Sequence, residues 1–257
     1  MIDASARIDP RARLAEGVDV GPGCLIGADV EIDGDTRIAP YVIIHGSTRI
    51  GRRNQIHPFC VIGGDPQDKK YQGEGSTRLE IGDDNTIREH CTINRGTVQG
   101  GGVTRIGDHN WVMANVHIAH DCQVGSHTVF ANNTALAGHV AIEDHVILGG
   151  FTGVHQFCRV GAYSFAAIAS VIVKDVPPYL MVAGNTAETR GLNREGLKRH
   201  GFSAETLQLL RQAYKILYRQ HLPLSEAVEQ LKALNGGSAE VRRLVDFVSR
   251  STRGIVR

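Results

Sequence analysis

Bulky aromatic side chains are scarce in this sequence: one Trp, seven Phe and six Tyr among 257 residues. A core built around large rings is excluded, and thirty glycines suit a chain with many tight turns. No apolar run is long enough to span a bilayer. The opening stretch MIDASARIDP lacks the charged-then-apolar layout of a signal peptide, so the cytoplasm is the expected location. Cysteine is sparse and badly placed for cross-linking: Cys24, Cys60, Cys91, Cys122 and Cys158 lie 31 or 36 residues apart, with no Cys-x-x-Cys. An odd count at that spacing excludes a disulfide framework and a zinc–cysteine site.

Neither sign of charge prevails: 28 Lys+Arg face 27 Asp+Glu, which excludes a general preference for nucleic acid. The distribution is uneven, however. Residues 1–173 carry 14 basic against 19 acidic residues, and residues 174–257 carry 14 against 8. The two regions are expected to be different domains, the second suited to an acidic partner.

What the sequence does have is a period of six. Stepping from Ile2 gives Ile8, Leu14, Val20, Ile26, Ile32 and so on to Ile62; the phase resumes at Ile81, Ile87 and Ile93, and again from Ile106 to Ile172. Every one of these positions is apolar, and the next residue is often Gly, as at Gly27, Gly107 and Gly149. Six is not a multiple of 3.6, so a helix does not produce it. It is the hexapeptide signature of a parallel β-helix, in which the apolar residue points inward and a small neighbour permits a tight corner. Three hexapeptides close one triangular coil, and coils stack at about 4.8 Å. The expected fold is mainly β: a β-helix over residues 1–174 with external loops at about 63–80 and 94–105, then a C-terminal α-helical domain over 175–257. In that second region Leu207, Leu210, Tyr214 and Leu217 follow helical spacing behind Ser203, a good N-cap. A short helix is expected near 193–200, and two more at 223–234 and 238–251, separated by Asn-Gly-Gly at 235–237.

Coil geometry also sorts the histidines. One coil above His120 lies Gly138, and above that Gln156; above Asp121 lies His139; His155 lies above Ala137. His120, Asp121, Gly138, His139, His155 and Gln156 therefore converge on one corner. A neutral imidazole is a usual general base near neutral pH. A neighbouring carboxylate fixes its tautomer, and a glycine amide can hold an oxyanion. These are the parts for acyl transfer to a hydroxyl. Neither Ser nor Cys offers itself as a nucleophile, so direct attack by the acceptor hydroxyl is favoured. The pairing of His120 with Asp121 stays open, because adjacent strand residues point to opposite faces. His45, His57, His109, His127 and His145 are expected to be solvated surface groups. A rival reading takes His117, His120 and His139 as zinc ligands, as in the similar gamma-type carbonic anhydrases. The spacing of three between His117 and His120 disfavours it, and no metal is expected.

The stretches HIAHDC, LAGHV, VHQFC, RGTVQGGG, DVPPY and EGLKR, in that order, resemble the family of UDP-N-acetylglucosamine O-acyltransferases over essentially the whole chain. The resemblance implies a left-handed β-helix and a homotrimer with sites between neighbouring subunits. It implies transfer of an (R)-3-hydroxyacyl chain from the phosphopantetheine of acyl carrier protein to the glucosamine 3-hydroxyl of UDP-N-acetylglucosamine. That reaction begins lipid A synthesis and needs no further cofactor. By matched position, His120 is the base, Asp121 its partner and the Gly138 amide the oxyanion donor. His117, His139, His155 and Gln156 match substrate contacts, and Asp68 and Lys70 lie near the nucleotide-sugar. Asn193, Glu195 and Arg199 match contacts to the pantetheine arm or the nucleotide. His200 replaces a frequent second arginine. Ile168 occupies the chain-length ruler, where a branched side chain implies a donor nearer ten carbons than fourteen. An amide product on a 3-amino sugar stays open, as does a zinc hydratase on the same scaffold.

Overall fold

A computed structural model describes residues 1–73, 75–234 and 237–257. Most hexapeptides form a two-residue strand whose first side chain faces out and whose second faces in, as in Leu25–Ile26 and Ala135–Leu136. The inward residues stack in columns: Ile118 lies beside Leu136, and Leu136 beside Val154, all in parallel register. Each is at most 3 % exposed. Burying one such side chain contributes about 1.5–3 kcal/mol, and that column is what keeps the coils in step. The strands form three parallel sheets of nine, eight and ten members, the faces of a left-handed triangular coil. The ten-strand sheet ends in one antiparallel pair.

The corners are built differently from the sequence expectation. The third residue after the inward side chain takes the left-handed conformation: φ is 60° at Asp121, 62° at His139 and 64° at Phe157. Its amide then donates to a carbonyl one coil below, His139 to His120 at 3.0 Å and Phe157 to Gly138 at 3.2 Å. The glycine after the inward residue answers a separate demand. A Cβ on Gly149 would come 2.7 Å from the Ile168 amide nitrogen and 2.8 Å from the Ala166 carbonyl oxygen. Those glycines admit the next coil; the bend itself is made by the residue two places later.

The chain leaves the coil twice. Strand Val61–Gly64 is followed in the eight-strand sheet by Arg78–Ile81, and Thr92–Asn94 by Val103–Ile106. The strands reach a few residues into both expected loops. Across the excursions Val61 pairs with Thr92, and Thr92 with His117, after which the shorter coil spacing resumes. Arg95 ties the two excursions together, with an ion pair to Asp65 and a 2.8 Å hydrogen bond to the Tyr71 hydroxyl.

The coil does not stop at Lys174. Leu180–Ala183 adds a parallel strand beside Phe165–Ala166, and Glu188–Leu192 pairs with it antiparallel. Only then come the helices α1 (Arg194–Arg199), α2 (Ala204–Tyr218), α3 (Leu224–Leu234) and α4 (Ala239–Ser249). Ser203 caps α2 as its sequence position predicts, accepting from the Thr206 amide at 3.2 Å. Leu197, Leu210, Leu217, Leu231 and Phe247 pack with Tyr179 into a second core. Of the expected Asn-Gly-Gly separator, Asn235 and Gly236 lie outside the described residues. After α4 the chain returns to the coil. Ile255 bridges Asp175, whose amide donates to the Gly254 carbonyl and whose carbonyl accepts from Val256, both at 2.9 Å. The Asp175 carboxylate, 1 % exposed, accepts from the Arg159 amide at 2.8 Å and the Ser251 hydroxyl at 2.7 Å.

Candidate active site

His120 and Asp121 occupy the corner between strands His117–Ile118 and Gln123–Val124, and are not part of either strand. The rule that sends strand neighbours to opposite faces does not apply there. With Asp121 at positive φ, its carboxylate turns back, and Oδ2 lies 2.8 Å from His120 Nδ1. This answers the question that the sequence leaves open. The carboxylate is 1 % exposed and the imidazole 13 %. Nδ1 next to a carboxylate carries the proton, which leaves Nε2 as the basic atom.

Residues of the second excursion hold the carboxylate in place. Oδ1 accepts from the Thr97 amide at 2.9 Å, and Oδ2 from the Thr97 hydroxyl at 2.6 Å. The Asp121 amide donates to the Thr104 hydroxyl at 2.8 Å. Gly100 packs against the carboxylate so closely that a Cβ would lie 2.1–2.4 Å from its atoms. Thr97, Gly100 and Thr104 are absent from the residues expected from sequence. RGTVQGGG marks the loop, but the period says nothing of where a loop outside it lands.

Gly138 lies one coil above, and a Cβ there would be 2.6 Å from His120 Cε1 and 2.7 Å from Nε2. Only glycine leaves room for the ring. Among the described residues its amide has no acceptor, as is also true of His120 and Gln156 at the same turn position. What distinguishes Gly138 is the bare Cα beside Nε2.

Around this centre is a cleft of about 1000 Å³, lined by His117, His139, His155, Gln156, Asp68 and Lys70 together with His120 and Gly138. His117 Nδ1 meets the Thr92 hydroxyl at 2.7 Å. Burial, reinforced by His120, holds the His117 pKa below the ordinary imidazole value. Burial also lowers that of His139, against the opposing pull of Asp121, whose Oδ2 lies 3.7 Å from Nε2. The His139 ring stacks on Phe157 with centroids 4.4 Å apart. Cys122 faces the core, where burial pushes its thiol up to about 12. At neutral pH it is no thiolate, and so no nucleophile.

Four expected residues lie elsewhere on the chain. Ile168, 71 % exposed, occupies the corner between the ten- and nine-strand sheets. Asn193, Glu195 and Arg199 belong to α1, beside the third corner. Asn193 is the α1 N-cap, and its side-chain amide donates to the Tyr163 carbonyl at 2.9 Å. Glu195 pairs with Lys198 at 3.1 Å. The zinc reading also changes. Among the described residues, the one group with metal-ligand spacing is His120, Asp121 and His139, all within 4.8 Å; His117 is not in it. His109, His127, His145 and Tyr163 are more than solvated surface: they stack in a column with centroids 4.8, 4.9 and 4.6 Å apart.

Comparison with known proteins agrees along the whole chain. Residues 175–256 match the family described as UDP-N-acetylglucosamine O-acyltransferase, domain 2, and residues 104–138 match the bacterial transferase hexapeptide. A protein of Thiobacillus denitrificans, acyl-[acyl-carrier-protein]–UDP-N-acetylglucosamine O-acyltransferase, is 56 % identical, with 100 % of this chain and 99 % of the relative covered. The structure of the UDP-N-acetylglucosamine O-acyltransferase from Moraxella catarrhalis is 48 % identical and covers 100 % of this chain and 99 % of its own, with a TM-score of 0.98. That of the Francisella novicida acyltransferase is 42 % identical, covering 100 % and 94 %, also at 0.98. Sequence, coil and corner agree, and the chain belongs to the family of UDP-N-acetylglucosamine O-acyltransferases.

Proposed function

We propose that this acyltransferase moves an (R)-3-hydroxyacyl chain from acyl carrier protein to the glucosamine 3-hydroxyl of UDP-N-acetylglucosamine, the first step of lipid A synthesis. The observation that carries this reading is the buried Asp121 carboxylate, held twice by Thr97 and bonded to His120 Nδ1. His120 Nε2 takes the proton of the acceptor hydroxyl as its oxygen attacks the thioester carbonyl. Asp121 stabilises the imidazolium that forms. The Gly138 amide holds the oxyanion. Collapse breaks the C–S bond, and the imidazolium returns its proton to the departing pantetheine sulfur. The ester C–O bond has then replaced the thioester. No acyl-enzyme is required, in keeping with the high pKa of Cys122, and the scheme calls for no cofactor.

The division at residues 174 and 175 belongs to the same proposal as a boundary in sequence, with the first strands of the second part completing the ten-strand sheet of the coil; a cytoplasmic site of action belongs to it too. No helix of the described residues is long and apolar enough to cross a membrane. His117, His139, His155, Gln156, Asp68 and Lys70 contact the substrate along the cleft. Ile168, Asn193, Glu195 and Arg199 serve a homotrimer, in which a neighbouring copy brings its own corners to that cleft. Their placement on other corners of one chain supports this. The excess of basic residues after position 174 suits an acidic carrier protein, mainly by steering its approach. Ile168 favours a donor near ten carbons.

The test is an acyl-transfer assay with both the 3-hydroxy and the 3-amino nucleotide-sugar, repeated on His120→Ala. Ester formation lost in the variant supports the reading. Transfer only to the amino sugar redirects it to an amide, and full activity in the variant removes His120 as the base. Stoichiometric zinc in purified protein, together with hydratase activity, would favour the rival on this scaffold.

A further inference from the structure

The last turn of the chain carries a charge to the far end of the cleft. Arg253 lies between two anchored points: Ser251 is bonded to the buried Asp175 carboxylate, and Gly254 and Val256 are bonded to the Asp175 backbone. Ile255 and Val256 are buried, at 4 % and 3 % exposure. Its backbone is thus fixed against the coil although its side chain is exposed. Among the described residues Arg253 forms no ion pair. Its Nη2 instead lies 3.2 Å from Nδ1 of His155, 98 positions away in sequence. His155 is the cleft residue two coils above Ala119 and one above Ala137.

A guanidinium has only N–H donors and stays protonated. Nδ1 of His155 must accept from it, so the ring proton sits on Nε2. The competing contact at that atom is the Gln156 carbonyl, also at 3.2 Å, which would need the proton on Nδ1. The two contacts demand opposite tautomers. The charged donor forms the stronger hydrogen bond, and the tautomer follows it.

The geometry therefore assigns Arg253 as a positioning residue: it fixes the Nε2–H tautomer of His155 and leaves that nitrogen as a donor for an oxygen of the substrate in the cleft. The substrate identity rests on the acyl-transfer reading above; the tautomer does not. Oxygen-bearing groups of the acceptor sugar or its diphosphate are the class that such a donor takes. Through the Asp175 anchor, the end of the chain becomes part of how the cleft recognises its ligand.

The experiment uses the full chain labelled with 15N-histidine, with His155 assigned from the His155→Gln spectrum. The expected wild-type pattern is an unprotonated Nδ1 and a protonated Nε2. In Arg253→Leu that preference is lost. The KM for the nucleotide-sugar rises about tenfold, the size of one hydrogen bond to a charged group, while kcat stays within about twofold. Arg253→Lys recovers most of both signals. Unchanged ring nitrogens and KM in Arg253→Leu overturn the assignment. So does a raised KM with an unchanged tautomer, because Arg253 would then touch the substrate itself. If Arg253→Leu lowers the melting temperature, Arg253→Met repeats the test with an unbranched side chain that packs like the arginine stem and has no donor. Absence of acyl transfer in the wild type would refute the proposed function and leave the tautomer measurement standing.

Discussion

Two corners of the same triangular coil carry clusters of histidines, and only one of them, among the described residues, pairs an imidazole with a buried carboxylate. On one, His109, His127, His145 and Tyr163 repeat in phase, and their rings lie nearly parallel. On the other, His120 and His139 meet edge-on at 90°, a glycine stands where the next side chain would be, and a carboxylate is buried beneath. The hexapeptide places both sets of rings equally well. The difference comes from what interrupts it: the second excursion lays Thr97 and Gly100 on Asp121, and among the described residues no such loop hydrogen-bonds the other set. Repetition gives stacking; the break in repetition gives a polarised pair.

Substitutions can separate the two corners. His120→Ala has the largest expected effect, a fall in kcat of roughly two to four orders of magnitude, read by single-turnover acyl transfer. Activity within tenfold of wild type would erase the distinction between the corners. Gly138→Ala follows. Its amide is retained, so a loss of about a hundredfold with an unchanged circular dichroism spectrum reports displacement of the His120 ring. Thr97→Val keeps the amide bond to Asp121 and removes the hydroxyl. A loss of about tenfold in kcat is expected, and an unchanged rate would show that the excursion merely covers the site.

A pH effect is common to the two corners. Burial holds His139 on one and His145 on the other below the ordinary imidazole value, as it does His117. These rings are neutral in the fold while the unfolded chain takes up protons. Stability is therefore complete above about pH 6.5 and declines as the pH falls below it. Urea midpoints at pH 7.5 and 5.5 should show the decline, and His139→Gln or His145→Gln should each shrink it. The smallest effect is expected from His127→Ala: activity within twofold, and a stability loss of about 0.5–1 kcal/mol for the stacked rings. A large loss of activity would give the second column a function of its own.

Much of the geometry of the candidate corner was legible in the sequence, for a definite reason. From Ile106 to Ile172 the period is unbroken, so Gly138 had to lie over His120 and Gln156 over Gly138. The helices were legible from Leu210 and Leu217 at one spacing and Ser203 at their start. Three features were hidden. Thr97 lies in a segment that has left the period, so counting cannot place it. The His120–Asp121 pairing was obscured by a rule for strands applied to residues in a turn. Arg253 reaches His155 through a tail that returns by way of Asp175, a long-range contact with no local signature.

The excursions have a consequence for how the chain tolerates change in length. The chain departs after Gly64 and re-enters at Arg78 in register with the strand beneath, Leu79 beside Thr48. The coil does not read how many residues lie between. Doubling such a loop costs only about 0.6 kcal/mol in closure entropy. One extra residue between His120 and Gly138 would shift every later side chain one place around the triangle, exchanging inward for outward positions. The same single-residue insertion is thus nearly silent at Gly73 and ruinous at Ser126. A scan of such insertions would trace, position by position, where the protein keeps count.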